Sequence, residues 1–308
     1  MRSEATVDVP ASIQWMREHP ETSAWLDDLP ATLAHMCDAW NLTVDGPPYQ
    51  GGMVSYVVPV VDADGTPFVL KLQWPHRESD TEAAALVTWK GNGAARLERH
   101  DAERHALLIE RCDPGTRLSG ATLDDAIDAY AEFIPRLAVP VADGHPFTTL
   151  ADEAARWASS IEREWRAKGE PFERSLLDHA AGLLATLPGT QGPQVLVHQD
   201  MHADNVLRAQ RQPWLVVDPK PLVGEAEFMV GGILRSFDVA AAPGEPMRAF
   251  DGLHDRASVL RRFEGLTSRL DVDLDRARDW AVAHFIAWCF ESSWLDVHVQ
   301  SARWLAEV

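Results

Sequence analysis

The chain is short of positive charge. Four lysines and twenty-four arginines stand against 47 acidic residues, a formal net charge of −19 over 308 residues. Binding to phosphate backbones needs basic stripes, so this balance argues against nucleic acid as the main partner. An acidic surface attracts small cations and also keeps a protein soluble. Long apolar runs are missing too. None approaches the roughly 20 residues that cross a bilayer, and MRSEATVDVP lacks the basic-then-apolar pattern of a signal peptide. The three cysteines, Cys37, Cys112 and Cys289, are far apart and without metal-ligand spacing. Reduced thiols in a cytoplasmic protein are the expectation. No internal repeat or low-complexity stretch occurs.

The length of 308 residues is enough for two ordinary domains or one large one, and the apolar content, 46%, is ordinary for a globular protein. The first fifty residues read as helical, with Leu33, Met36, Cys37 and Trp40 on one face. Val54–Val61 and Phe68–Gln73 are β-rich and flank the turn residues Asp62-Ala63-Asp64-Gly65. A helical pattern over 79–90 and short strands at Ala95–Glu98 and Ala106–Arg111 lead to the break Cys112-Asp113-Pro114-Gly115. Helices are expected over 122–138, 149–168 and 172–187, and two long ones within 251–308. Short strands at Gln194–His198, Val206–Arg208 and Trp214–Asp218 interrupt them. The expected architecture is α+β and bilobal, with a small β-rich lobe over 1–112 and a larger, mainly helical lobe over 113–308.

Chemistry concentrates in HQDMHADNVLRAQRQPWLVVD, residues 198–218. Asp200 follows a histidine by two positions, Asn205 lies five beyond it, and a β-like run delivers Asp218. Phosphoryl transfer from a nucleotide uses such parts in this order. One carboxylate orients the attacking hydroxyl, and an amide oxygen with a second carboxylate holds Mg²⁺ against the phosphates. Asp200 is therefore the candidate base, and Asn205 and Asp218 are the candidate Mg²⁺ ligands. Lys71, on a strand between apolar neighbours, is placed to bind donor phosphates, and Glu82 eleven residues later is placed to pair with it. Gly51 and Gly52 precede the first hairpin strand as a candidate phosphate-covering loop, with Ser55 beside them. Glu110 and Cys112 flank the expected hinge, where backbone groups would meet an adenine edge. A rival reading takes His198 and His202, alternating with Asp200 and Asp204, as a metal-hydrolase site. That reading leaves Lys71, Asn205 and Asp218 without a role.

At these residues the sequence resembles the aminoglycoside and hydroxyurea antibiotic resistance kinase family, from about residue 30 to the C-terminus. The likeness rests on VVPVVDADGTPFVLKL, EAAALVTWKGNGAARL, ALLIERCDPGTRL, VLVHQDMHADNVLRA and WLVVDPKPLVGEAEF. It implies a protein-kinase-like fold, ATP or GTP as donor, Mg²⁺, and transfer to a hydroxyl of a small molecule such as streptomycin, hydroxyurea or another amino sugar. Gln199, Asp204, Pro221 and Met229 depart from the family pattern and bear on acceptor choice. Asp204 is read as solvated or cation-holding. Lys220 is read as neutralising the transferred phosphate or pairing with Glu225. For a cationic acceptor, Trp288, Glu291, Trp294, Asp296, Glu225 and Glu227 are the expected aromatic and acidic lining.

Overall fold

A computed structural model describes residues 7–235, 248–249, 252–290 and 295–307. The chain forms two compact units, Met1–Gly91 with Ala95–Asp113, and Asn92–Ala94 with Pro114–Val308.

The first unit is a helix against a sheet. The helical reading of the first fifty residues holds over Ala11–Glu18, a 3-10 helix, and is corrected from Thr43, where the chain enters a strand. Between them, α1 (Pro20–Trp40) begins with proline in its first turn, where the missing N–H costs nothing. It stops at Asn41, a residue tolerant of the left-handed conformation it adopts there (φ 56°). Strands β1 (Thr43–Val44), β2 (Ser55–Val61), β3 (Pro67–Gln73), β4 (Leu97–Asp101) and β5 (Ala106–Glu110) form an antiparallel sheet in the order β1-β2-β3-β5-β4. Asp62 closes the β2–β3 hairpin by accepting from the N–H groups of Asp64 and Thr66 at 3.0 and 2.8 Å. Period-two alternation then sorts the two faces of the sheet. Tyr56, Val58, Val60, Leu70 and Leu72 join Leu26, Leu29 and Met36 of α1 in one core. Lys71 and Gln73 fall on the other face and meet α2 (Glu82–Trp89) through Glu82.

The second unit is mainly helical: α3 (Leu123–Leu137), α4 (Leu150–Ala167), α5 (Arg174–Thr186), α6 (Met229–Leu234), α7 (Arg256–Leu270), α8 (Leu274–Trp288) and α9 (Leu295–Ala306). Three long helices, not two, fill the C-terminal stretch. Asp271 in a left-handed conformation (φ 53°) ends α7, and the N-cap Asp273 starts α8. Thr122, Thr149 and Asp255 cap α3, α4 and α7 in the same way, each side chain accepting a backbone N–H three residues on. Two antiparallel ribbons cross this unit: β6 (Val195–His198) with β9 (Pro221–Gly224), and β7 (Val206–Arg208) with β8 (Trp214–Val216). A further short pair is β10 (Arg248–Ala249) with β11 (Gly252–Leu253). Among the described residues no helix is long and apolar enough to cross a membrane.

The core of this unit holds histidines in neutral form. The His284 ring lies 4.9 Å from Phe228 and 5.6 Å from Trp157, and burial holds its pKa well below the usual value. Burial and then the adjacent Arg262 lower His254 to about 3. Arg262 can only donate, so Nδ1 of His254 accepts from it at 2.9 Å and the Nε2–H faces Ser301 Oγ at 3.0 Å. A folded-state pKa below the unfolded value means stability that is present at neutral pH and lost as pH falls below about 6.5. For His254 alone the loss at pH 5 is about 2 kcal/mol. The urea midpoint followed by tryptophan fluorescence is therefore expected to be clearly lower at pH 5 than at pH 7, and the difference smaller in His254→Gln. Equal midpoints for the wild type would contradict a neutral buried histidine set.

Candidate active site

In the first unit the chemistry is a buried ion pair with a third member. Lys71 Nζ donates to both carboxylate oxygens of Glu82, at 2.8 and 2.6 Å, and Gln73 Nε2 donates to Oε2 at 2.6 Å. All three residues are less than 7% exposed. Charges taken this far from water persist only when paired and hydrogen-bonded. Gln73 did not stand out in the sequence. Its signal is its position, two residues beyond Lys71 on the same strand face.

Gly51 takes a φ of +106°, which favours glycine, and its N–H donates to Ser12 Oγ at 3.3 Å. A Cβ on Gly52 would stand 3.0 Å from the Ser55 carbonyl oxygen, a tight contact that glycine avoids. Ser55 is buried opposite Gln73 in the β2–β3 register. The Glu110 backbone N–H donates to Arg96 O at 2.9 Å and its carboxylate accepts from Arg96 N at 3.0 Å, which ties the end of β5 to the residue before β4. Cys112 is a half-buried thiol just past β5.

In the second unit the loop between β6 and β7 carries Asp200 and Asn205. The His198 ring is fully buried, and its Nδ1 accepts from the Asp200 N–H at 3.0 Å. Burial lowers its pKa to about 4, which keeps that nitrogen an acceptor. Asn205 Nδ2 donates to Asp200 O at 3.0 Å, and the Asn205 carbonyl accepts from Val217 N at 2.9 Å, next to Asp218. Tyr130 Oη donates to Met201 O at 3.1 Å. Beneath the loop lies α6, whose sequence MVGGIL has poor helix propensity but is buried throughout. A Cβ on Gly232 would come 3.0 Å from Gln199 O and 3.1 Å from Met201 N, so glycine lets this helix lie against the loop backbone.

The Asp200 carboxylate is gripped from two sides. Lys220 Nζ donates to Oδ2 at 2.9 Å and Arg235 to Oδ1 at 3.3 Å, with His202 Nε2 3.8 Å away. Burial alone would raise this carboxyl, but Lys220, His202 and Arg235 outweigh it and hold it well below the usual carboxylate range. Both cations lie over the ring of Trp288, Arg235 at 4.1 Å and Lys220 at 5.4 Å from its centre. Arg235 and α6 were not singled out in the sequence, where one arginine among twenty-four carries no local signal.

Several expectations for the acceptor side are corrected. Lys220 is on Asp200, not on Glu225. Glu225 is 1% exposed and accepts from Arg276 Nε at 2.6 and 2.5 Å, from Gly192 N at 2.9 Å and from the Trp280 indole. It ties α8 to the residues before β6 and has no carboxylate left for a ligand. Asp204 is not a solvated acid. It accepts from the Ser119 hydroxyl, with Arg117 at 3.9 Å, and joins two neighbouring turns. Glu227 accepts from the N–H of Asp273, and Asp296 is exposed in the first turn of α9. Glu291 and Trp294 lie outside the described residues. A zinc-hydrolase arrangement is not what His198 and His202 form: Nδ1 of His198 is occupied by Asp200 N and the ring is enclosed. Among the described residues no three His, Cys, Asp or Glu side chains gather as a metal cage.

Asn205 and Asp218 do suit a hard cation. The amide NH₂ is committed to Asp200 O, which leaves the amide oxygen as donor, and Asp218 adds a carboxylate two residues past β8. A family model for aminoglycoside/hydroxyurea antibiotic resistance kinases matches residues 39–296. A streptomycin 6-kinase from Streptomyces glaucescens is 36% identical over 269 residues, 86% of this chain and 83% of that protein. A hydroxyurea phosphotransferase from Kitasatospora aureofaciens is 33% identical over 292 residues, 92% of this chain and 80% of that one. Among solved structures, a choline kinase from Streptococcus pneumoniae aligns with a TM-score of 0.62 at 11% identity, covering 93% of this chain and 99% of that chain. The fold is thus the α+β, protein-kinase-like fold of small-molecule kinases.

Proposed function

The chain belongs to the aminoglycoside/hydroxyurea antibiotic resistance kinase family, and from that premise we propose that it phosphorylates a hydroxyl of a streptomycin-type aminoglycoside with ATP and Mg²⁺. As a member of that family it is a small-molecule phosphotransferase with a nucleotide donor. In the proposed reaction Asp200 orients the acceptor hydroxyl and takes its proton. The hydroxyl oxygen bonds to the γ-phosphorus as the bond from that phosphorus to the bridging oxygen breaks, and ADP leaves with that electron pair. Lys71, held by Glu82, binds donor phosphates. Asn205 and Asp218 would hold Mg²⁺, which would supply charge neutralisation at the phosphate oxygens. The observation that carries the reading is the loop in which the Asp200 backbone is hydrogen-bonded to both His198 and Asn205. Such bonding gives the preorganisation that a loose phosphoryl-transfer transition state uses. GTP is the alternative donor.

Hydroxyurea is the second acceptor reading, and one observation favours it. Glu225 and Asp204, two acids expected to receive a cation, are committed to Arg276, Trp280 and Ser119. A neutral acceptor does not need them. Transfer of label from γ-labelled ATP to streptomycin, hydroxyurea, other amino sugars and neutral alcohols separates the two. Labelled streptomycin is the expected product. Turnover of hydroxyurea alone would move the assignment to the neutral acceptor, and no labelled product with any of them would defeat the kinase reading.

A further inference from the structure

We infer that Arg235, laid on the ring of Trp288, is a positioning residue for the transfer reaction, fixing the Asp200 carboxylate through Oδ1. The inference rests on the assignment of Asp200 as the group that orients the acceptor.

The backbone of Asp200 is already pinned, by His198 at its N–H and by Asn205 at its carbonyl. What remains loose is the side chain. The last torsion of an aspartate turns between a carbon and a flat carboxylate and has a broad, two-fold profile, so the backbone alone does not aim the oxygens. Aim requires a partner on each oxygen, and the structure supplies one on each. Lys220 reaches Oδ2 from the residue before β9, and Arg235 reaches Oδ1 from the end of α6. These partners differ in kind. An ammonium on a four-carbon stem is a compact charge with rotatable donors, whereas a guanidinium is a rigid fork whose plane can be locked by stacking. Arg235 is locked: its guanidinium is 4.1 Å from the centre of Trp288, and its Nε lies 3.5 Å from His298 Nε2. Three helices therefore hold this one side chain, α6 by its backbone, α8 through Trp288 and α9 through His298. Trp288 is itself fixed, 6% exposed and edge-on to the buried His284 ring at 5.1 Å. An ionised carboxylate accepts about four hydrogen bonds, so both cations stay in place while an acceptor hydroxyl docks.

The test compares wild type with Arg235→Ala, Arg235→Lys and Trp288→Phe in the labelled-ATP assay, with nucleotide affinity and thermal unfolding measured on each. In R235A the kcat is expected to fall about 10²-fold, the effect of a misplacement of about 1 Å at a reacting group. Nucleotide affinity should stay near wild type. Guanidinium chloride at millimolar concentration should restore part of the kcat of R235A and none in wild type, an effect that a purely structural role does not produce. R235K should recover less than guanidinium does, since it keeps charge and loses the planar stack, and W288F, whose smaller ring holds the guanidinium less firmly, should lose part of the kcat, less than R235A. Wild-type kcat in R235A overturns the inference. So does a loss that follows the unfolding temperature across the three variants with no response to guanidinium. An inactive wild type removes the assignment of Asp200 and this inference together, whereas an active wild type beside an unimpaired R235A removes only the inference.

Discussion

Asp200→Asn lowers kcat by about 10³-fold, within the range that a positioned acid–base group supplies, and leaves nucleotide affinity close to wild type. Asparagine keeps the size and shape of aspartate and can donate as well as accept, but it cannot take the acceptor's proton. The substitution also has a stability cost that separates it from a simple deletion of chemistry. In the wild type the carboxylate offsets Lys220 and Arg235, which are 23% and 12% exposed at their side chains. Without it two half-enclosed cations face each other over Trp288, and breaking a buried pair of this kind costs about 3 kcal/mol. Urea titration should show that loss, while calorimetric titration with a non-hydrolysable nucleotide should show binding preserved. A fully active Asp200→Asn enzyme would sink the role of Asp200. A variant that lost nucleotide binding in proportion to kcat would point instead to a collapsed loop.

The readable parts of this protein are those set by short-range rules. The β2–β3 hairpin was legible because Asp62-Ala63-Asp64-Gly65 is turn chemistry between two alternating runs. The extents of α3 and α4 were legible to within a few residues, at 122–138 and 149–168. The loop carrying Asp200 and Asn205, and Asp218 two residues past β8, were legible because their spacing is a local pattern bracketed by short β-rich runs. The residues that escaped the reading depend on partners far away in sequence. Gln73 matters only because β3 turns it toward Glu82. The helix α6 forms from MVGGIL through burial against residues 199–201, which overrides two glycines that would otherwise argue against it. Arg235 meets Asp200 across 35 residues and Trp288 across 53, and neither spacing has a local signature.

Two acids expected at the acceptor side, Glu225 and Asp204, are taken up for a related reason: charge in a sequence does not say which partner the fold supplies. The fold spends the first on joining α8 to the residues before β6 and the second on joining two turns. In a protein with 24 arginines, a buried acid finds an internal cation more readily than a ligand does.

Asp218→Asn is expected to lose about 10³-fold in kcat, equivalent to the several kcal/mol of charge stabilisation that a bound metal provides, and to need more Mg²⁺ for half-maximal rate. The choice of asparagine follows from the backbone. Asp218 sits at φ 53°, a left-handed conformation that Asp and Asn tolerate and most other residues resist. In Asp218→Asn the fold is therefore retained and only the carboxylate is removed. Asp218→Ala adds a backbone penalty of about 1 kcal/mol, so the alanine variant should be both inactive and measurably less stable than the asparagine variant. That contrast divides chemistry from conformation at one position. Titrating Mg²⁺ against rate in the two variants, alongside their unfolding midpoints, provides the check. If Asp218→Asn matched the wild type at every Mg²⁺ concentration, Asp218 would not be a metal ligand. Its left-handed geometry would then serve only to turn the chain from β8 into β9.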